Sequence, residues 1–405
     1  MDTHSMYLDN AATTPIDKRV FEAMLPWLRD EFGNPSSIHS HGRRARIAIE
    51  RARANVAALI GADPSEIIFT SGGTESDNTA IAMAAGEVHG DRTNSRSGGA
   101  RFISSQAEHQ AVLKPLEHHA HIGDSVAWLP VDHAAVPRTE TVVRHIGPET
   151  RLLTLMHVNN ETGGILPLAD VAKLAEAHEI PFHSDMVQSA GKLATDIHAM
   201  AVDFASLSAH KLHGPKGSGA LYVRGGIDVE SILRGGAQER GRRGGTENVA
   251  GIVGFGEAAR LALLEREERM ERWMQFRAEA VTLLQDAFEH LIVNGDVEEV
   301  LPSILSVSFP STHYDIDGEM LPMRCDLAGL AISSGSACTA GSVAPSHVMR
   351  AIGHDERTAG ASVRISFGGM TTREEVRRGT GMLIRVVQEM AGPSSLRSHS
   401  RMTIP

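Results

Sequence analysis

"EIIFTSGGTESDNTAIAMAAG", residues 66–86, passes from an apolar β-type run (66–71) through two glycines straight into a helical pattern (75–86). Parallel strands need a crossover between them, and that crossover is usually a helix. The same unit recurs downstream. "ARFISS" (100–105) precedes "HQAVLKPLEHHA" (109–120), and "RLLTLMHV" (151–158) precedes "LADVAKLAEAHE" (168–179). Three further short runs follow: "IPFHSD" (180–185), "VDFASLSA" (202–209) and "GALYVR" (219–224). Apolar runs of this length between helical patterns predict an α/β fold with a mainly parallel sheet covered by helices.

Beyond residue 257 the texture changes. Residues 257–291 form one long, heavily charged helical pattern, long enough to act as a spine between two domains. "ILSVSF" (304–309) and "ASVRISF" (361–367) alternate like half-exposed strands, and residues 372–390 read as a terminal helix. The expected division is a large domain over 16–257 and a smaller α+β domain over 258–392 that also takes 1–15. The polar tail 393–405 is expected to be disordered, and "HGDRTNSRSGG" (89–99) to be a mobile loop.

Of the 405 residues, 41% are hydrophobic and 22% charged, which is a globular composition. Lys and Arg total 39 against 50 Asp and Glu, a net charge of −11, and the basic footprint that nucleic-acid binding needs is missing. The only cysteines, Cys325 and Cys338, lie thirteen positions apart and give no disulfide framework, so a reducing, cytoplasmic setting is expected. The N-terminus shows no secretory pattern, and no apolar run approaches the roughly 20 residues that span a bilayer.

Five stretches carry candidate chemistry, and each also fits a plain structural role. One, "SSQAEHQAV" (104–112), places His109 at a strand-to-helix turn, though in a chain with 21 histidines a single one also reads as a surface residue. "FTSGGTESDN" (69–78) offers glycines and a helix start to a phosphate, but lacks the P-loop lysine and the dinucleotide fingerprint; it is equally a βα turn. Lys211, between small residues and a Gly/Pro-rich turn, suits an imine-forming amine if shielded near other cations such as His210; it also suits a surface turn. Asp185 ends a buried-type strand, where α/β sheets bind ligands and where an acid can hold a pyridinium nitrogen protonated; it is equally a helix cap. Cys338 sits in "AISSGSACTAGS" (331–342), where nothing bulky surrounds the thiol; the stretch also reads as a small-residue turn. The histidine runs "HSH" (39–41) and "HHAH" (118–121) have no converging acidic partners, so no metal is expected.

Nine blocks then occur in one order: "YLDNAATTP" (7–15), "FGNPSSIHSHG" (32–42), "IIFTSGGTESDN" (67–78), "AEHQAV" (107–112), "MHVNNETG" (156–163), "SAHKLHGPKG" (208–217), "ERGRRGGTENV" (239–249), "SSGSACTAGSVAPSHVMRAIG" (333–353) and "VRISFG" (363–368). With them the chain resembles the NifS/IscS-type cysteine desulfurases, pyridoxal-phosphate enzymes of fold type I in the class V aminotransferase group, from about residue 6 to about 390. The block "R-x-G-H-H-C" of the SufS-related group is absent, and the stretch around Cys338 is similar to the long catalytic loop of the other group.

The resemblance implies the following roles. Lys211 would carry pyridoxal phosphate, Asp185 would pair with its ring nitrogen, and Gln188 would bond its phenolic oxygen. His109 would stack on the ring and move protons. Gly73, Thr74, Ser208 and His210 would hold the phosphate, and Thr246 would reach the cofactor of a partner in a homodimer. Asn160, bordering the cofactor, and Arg364 would hold the substrate carboxylate. Cys338, as thiolate, would take sulfur from L-cysteine as a persulfide and pass it to an acceptor such as an iron–sulfur scaffold, leaving alanine. Relatives usually carry alanine where this chain has Met186, which is expected to face the ring opposite His109. A selenocysteine lyase, a small-substrate aminotransferase or an inactive scaffold are the alternatives. Cys338 argues against an aminotransferase, and the full set of reactive groups against a scaffold.

Overall fold

The computed structural model describes residues 6–86, 100–295, 299–334 and 345–391. The 89–99 loop, Cys338 with residues 335–344, and the tail from 392 lie outside the described residues.

The strands in chain order are β1 (Met6–Tyr7), β2 (Ile67–Thr70), β3 (Arg101–Ser105), β4 (Ser125–Leu129), β5 (Thr150–Thr154), β6 (Phe182–Asp185), β7 (Phe204–Ser208), β8 (Gly219–Val223), β9 (Ile292–Asn294), β10 (Ile304–Ser308), β11 (Leu330–Ala331), β12 (Ser333–Ser334) and β13 (Ser362–Ser366). Seven of them form one sheet in the order β2-β8-β7-β6-β5-β3-β4. Only β8 runs against the rest, pairing antiparallel with both β2 and β7. The sheet is therefore mainly parallel, and its central strands β5, β6 and β7 are buried along most of their length, as expected for a sheet covered on both faces. A four-stranded antiparallel sheet, β12-β13-β10-β9, lies in the C-terminal part, and β1 pairs with β11.

The helices are α1 (Lys18–Arg29), α2 (Ser40–Ile60), α3 (Gly73–Ala84), α4 (Gln110–His121), α5 (Thr139–His145), α6 (Leu168–Ala177), α7 (Val249–Ala287), α8 (Met320–Leu327), α9 (His347–Ala351), α10 (Glu356–Gly360) and α11 (Arg373–Ala391). The expected spine is α7, at 39 residues, and it begins well before the charged stretch because "VAGIVGFG" (249–256) is helical too. One buried cluster joins the large sheet to α2 and to the first part of α7 through Ile252, Phe255 and Ala259. A second joins the later part of α7, through Trp273, Phe276 and Leu284, to β10, β13, α11 and Leu8. A single helix thus contributes to both cores, which couples them mechanically.

The C-terminal strands differ from expectation. β10 and β13 are buried along their whole length instead of half-exposed. Their alternating serines turn toward one another: Asn294 Nδ2 donates to Ser306 Oγ (2.9 Å) and Ser308 Oγ (2.8 Å), and Ser308 meets Ser362 at 2.6 Å. Small polar residues that bond one another give the same period-2 signal as solvent exposure. Helix α1, for its part, carries Pro26 inside it and gives a poor local signal.

Candidate active site

Five of the six parallel strands of the large sheet, all but β4, deliver a candidate residue to the side where their C-terminal ends lie. β2 leads to Gly73 and Thr74, β3 to His109, β5 to Asn160, β6 ends on Asp185, and β7 ends on Ser208 just before His210 and Lys211. Open parallel sheets place ligands at these ends. The result is a cavity of about 450 Å³ lined by Gly73, Thr74, His109, Asn160, Asp185, Gln188, Ser208, His210, Lys211 and Arg364. Thr246 is not part of this lining; it is exposed on the loop before α7. Cys338 lies outside the described residues, and the other thiol, Cys325, is fully buried in the second core with its pKa pushed up to about 12 by burial.

Lys211 donates from Nζ to the carbonyl oxygens of Ala11 (2.5 Å) and Ala12 (2.8 Å). Its pKa falls to about 8, first through burial and then through the Arg364 cation, against the pull of Asp185 and Asp9. The cation that shifts it is therefore Arg364, not His210 as expected. His210 is itself held neutral, at about 4, by burial and by Lys211, Lys216 and Lys192. An amine that loses its proton near neutrality is what imine chemistry requires.

Asp185 accepts a hydrogen bond from the Val187 N–H at 2.9 Å and has no ion pair among the described residues. Burial raises its pKa, and Asp77 adds to the effect while His109 opposes it. His109 caps α4: its Nδ1 accepts from the Ala111 N–H at 3.2 Å, so the neutral ring carries its proton on Nε2. Burial depresses its pKa; Asp185 opposes that, and Lys211 and His347 add to it.

Helix α3 begins at Gly73 after Gly72, which has no side chain to cap it, so its first N–H groups remain open to an anion. A Cβ at position 73 would meet Val187 Cγ2 at 2.7 Å, so only glycine fits there. That contact also locates the departure noted in the sequence. Met186 is fully buried in the main core, and Val187 lines the cavity in its place. The Met186 N–H continues the sheet to Ser206 O at 3.1 Å, so side chains still alternate and residues 185 and 187 share a side.

Arg364, on β13, donates from Nη1 to Asn160 O (2.7 Å) and from Nη2 to Asp9 Oδ1 (2.9 Å) and Ser333 Oγ (3.1 Å). Its Nε is buried without a partner. A buried donor left open costs about 1–3 kcal/mol, and a substrate carboxylate would satisfy it.

Four residues around the site were not anticipated. Glu108 accepts from Ser105 Oγ (2.7 Å) and the Met156 N–H (2.9 Å), and burial raises it to about 8. Glu161 accepts from Ser346 Oγ at 2.6 Å and is raised to about 7 by burial. Asp77 is also raised to about 7 by burial; its Oδ1 lies 3.5 Å from His183 Nε2 and lacks a hydrogen bond. Lys192 is buried with its Nζ on Gln188 Oε1 at 3.0 Å. Adjacency to His109 and Asn160 was the available signal for Glu108 and Glu161. Among the described residues the one group of side chains with metal-ligand spacing is Asp63, Glu66 and His198, which includes neither histidine run; His119 pairs with Asp124 at 2.9 Å.

The residues fit pyridoxal phosphate. Asp185 lacks a cation that a protonated ring nitrogen supplies, α3 offers an anion site at its start, and Lys211 is a shielded amine. The sequence matches the aminotransferase class-V family over residues 6–378. It is 40% identical over 385 residues to cysteine desulfurase IscS of Dictyoglomus turgidum, with 95% of each chain covered. Among solved structures, a NifS-like protein aligns with a TM-score of 0.85 at 35% identity, covering 94% of this chain and 99% of that one. SspA, solved in complex with cysteine, aligns with a TM-score of 0.78 at 36% identity, covering 91% of this chain and 100% of that one. The chain belongs to the class-V aminotransferase family, among its pyridoxal-phosphate-dependent cysteine desulfurases.

Proposed function

We propose that this enzyme moves the sulfur of L-cysteine onto Cys338 as a persulfide, releases L-alanine, and hands the sulfur to an acceptor such as an iron–sulfur scaffold or a route to thiolated tRNA or cofactors. The observation that carries this reading is the meeting of three incomplete groups in one cavity. These are a shielded amine (Lys211), a buried carboxylate without a cation (Asp185) and a guanidinium with an open buried donor (Arg364). An amino acid and the cofactor together supply what each lacks. The test is sulfide and alanine release from L-cysteine with a reductant present, run beside L-selenocysteine and common amino donors. Transamination without sulfide would overturn the reading.

When bound, pyridoxal phosphate supplies an electron sink for bonds at the substrate α-carbon. Gly73, Thr74, Ser208 and His210 would hold its phosphate, Asp185 its ring nitrogen and Gln188 its phenolic oxygen. Val187 and His109 line the cavity and would border the ring. Arg364 and Asn160 fix the substrate carboxylate, and His109, neutral with its proton on Nε2, moves protons at the substrate. Cys338 as thiolate attacks the substrate sulfur: the S–S bond forms, the C–S bond breaks, and its electron pair leaves with the three-carbon product, which takes up a proton.

Two assembly features belong to this reading. Exposed apolar side chains on and between α1 and α2, including Phe21, Leu28, Phe32, Ile38 and Ile47, support a homodimer. The loop carrying Thr246 is held by Arg53–Glu239 (2.7 Å) and Arg243–Glu75 (2.9 Å), which supports its reaching the partner's cofactor. The two cores support a division close to 16–257 and 258–392 with 1–15, with the crossover within α7 falling after Ala262, which still packs in the first core, and before Trp273, which packs in the second. Among the described residues no helix is long and apolar enough to cross a membrane, and a cytoplasmic setting matches a sequence that carries only two cysteines.

Two expected outcomes follow from single side chains. Uptake of pyridoxal phosphate by the cofactor-free enzyme requires neutral Lys211, whose pKa is lowered to about 8. The uptake rate therefore rises with pH between roughly 7 and 9 and then levels off, where an ordinary lysine would keep climbing toward its usual value near 10.4. A rate that is flat over that interval would contradict the assignment. Arg364→Lys keeps a charge but loses the planar fork that spans Asn160 and Asp9. It is expected to lower kcat/KM about 100-fold, mostly through KM; steady-state kinetics with L-cysteine decides it.

A further inference from the structure

Lys192 is buried, and no ion pair with a carboxylate is found for it among the described residues. Its one hydrogen bond runs from Nζ to Gln188 Oε1 at 3.0 Å. The other end of the same amide, Gln188 Nε2, donates to Ala11 O at 2.9 Å, and Ala11 O also accepts from Lys211. These contacts fix which end of the amide is which. A carbonyl oxygen can only accept, so Nε2 must face Ala11, and that leaves Oε1 to accept from the Lys192 Nζ. One N–H of Gln188 is then spent on Ala11, and the second is left for the cavity that Gln188 lines.

We propose that Lys192 is a positioning residue, holding the Gln188 amide so that an N–H is presented to the phenolic oxygen of pyridoxal phosphate. The inference rests on the placement of Gln188 given under Proposed function. Its physical basis is the cost of burying an amine in this place. The charged groups facing it are Lys211 and Arg364, both cationic, with His210 and His213 nearby, so burial and then those two cations lower its pKa to about 7. A lysine that serves only packing would be cheaper as methionine. The turn is also built for it. Gly191 has φ 71° and would place a Cβ 3.0 Å from Ala262 and Leu212, which locks the chain that aims Lys192 at Gln188.

The test is a spectroscopic pH titration of the resting, cofactor-loaded enzyme, with cofactor affinity measured alongside. A donor at the phenolic oxygen disfavours the proton held by the lysine–cofactor linkage. Lys192→Met is therefore expected to raise the midpoint of the visible chromophore by about 0.5 pH unit or more and to weaken cofactor binding about fivefold. Lys192→Arg, which keeps a cationic donor, is expected to bring both back toward wild type. In a Gln188→Ala background, Lys192→Met is expected to shift nothing further, because its effect passes through that amide. Should Lys192→Met not fold, Lys192→Gln replaces it: its shorter side chain does not reach Oε1 and is expected to show the same upward shift. If Gln188→Ala shifts the midpoint and Lys192→Met does not, or if the two shifts add, the role of Lys192 is refuted while that of Gln188 stands. If Gln188→Ala itself leaves the midpoint unchanged, the placement of Gln188 fails, and the role of Lys192 fails with it.

Discussion

Lys211→Ala is expected to end sulfide release and to remove the visible chromophore of the loaded enzyme. The loss is about 10⁴-fold or more in kcat, since the side chain that carries the cofactor and exchanges it with substrate has no substitute. Lys192, another buried amine close enough to interact with Lys211, is committed to Gln188. The variant still has the start of α3 and the Ser208–His210 turn, so it is expected to bind the cofactor reversibly and to lose it on dialysis. Folding should be preserved, because Lys211 lines a cavity and its Nζ contacts only the Ala11 and Ala12 carbonyls. A Lys211→Ala enzyme that keeps its absorbance through dialysis would show that another amine carries the cofactor.

Cys338→Ser separates cofactor chemistry from sulfur transfer. It is expected to keep the chromophore and its response to L-cysteine, yet to lose sulfide release by about 10³-fold, because a hydroxyl is not ionised near neutrality and is a poor nucleophile toward sulfur. Cys325→Ser provides the contrast. That thiol is fully buried and its pKa is pushed up to about 12, so it contributes no thiolate. Activity is expected to stay within about twofold, while stability falls by about 1–3 kcal/mol from a hydroxyl buried in an apolar core. Mass spectrometry after a single turnover should find the added sulfur on the peptide containing Cys338. Added sulfur on Cys325, or a wild-type rate in Cys338→Ser, would refute the assignment.

Much of the site is legible in the sequence because each candidate sits at a strand-to-helix junction, and such junctions leave a local mark: an apolar run, a glycine or cap, then a helical period. Lys211, Asp185, His109 and the Gly73–Thr74 turn are all of this kind, and all four meet in the cavity. Arg364 is different. It lies within a strand, some two hundred residues along the chain from Asn160, and only the resemblance pointed to it. The serines of β10 and β13 show the limit of periodicity, since exposure and mutual hydrogen bonding give the same alternation.

The sequence by itself indicated the alternation of strands and helices through the middle of the chain and the mainly parallel sheet, because period is a local property of a chain; its resemblance to the family pointed to the reacting groups. Tertiary structure alone decided that Val187 and not Met186 lines the cavity, that Arg364 rather than His210 is the cation acting on Lys211, and that Glu108, Asp77 and Glu161 are buried carboxyls around the site. It also decided that Lys192 stands behind Gln188. Each of these depends on what the fold brings within a few ångströms and on how much water it removes. Desolvation and charge–charge distance are set by residues far apart in the chain, so no local pattern encodes them.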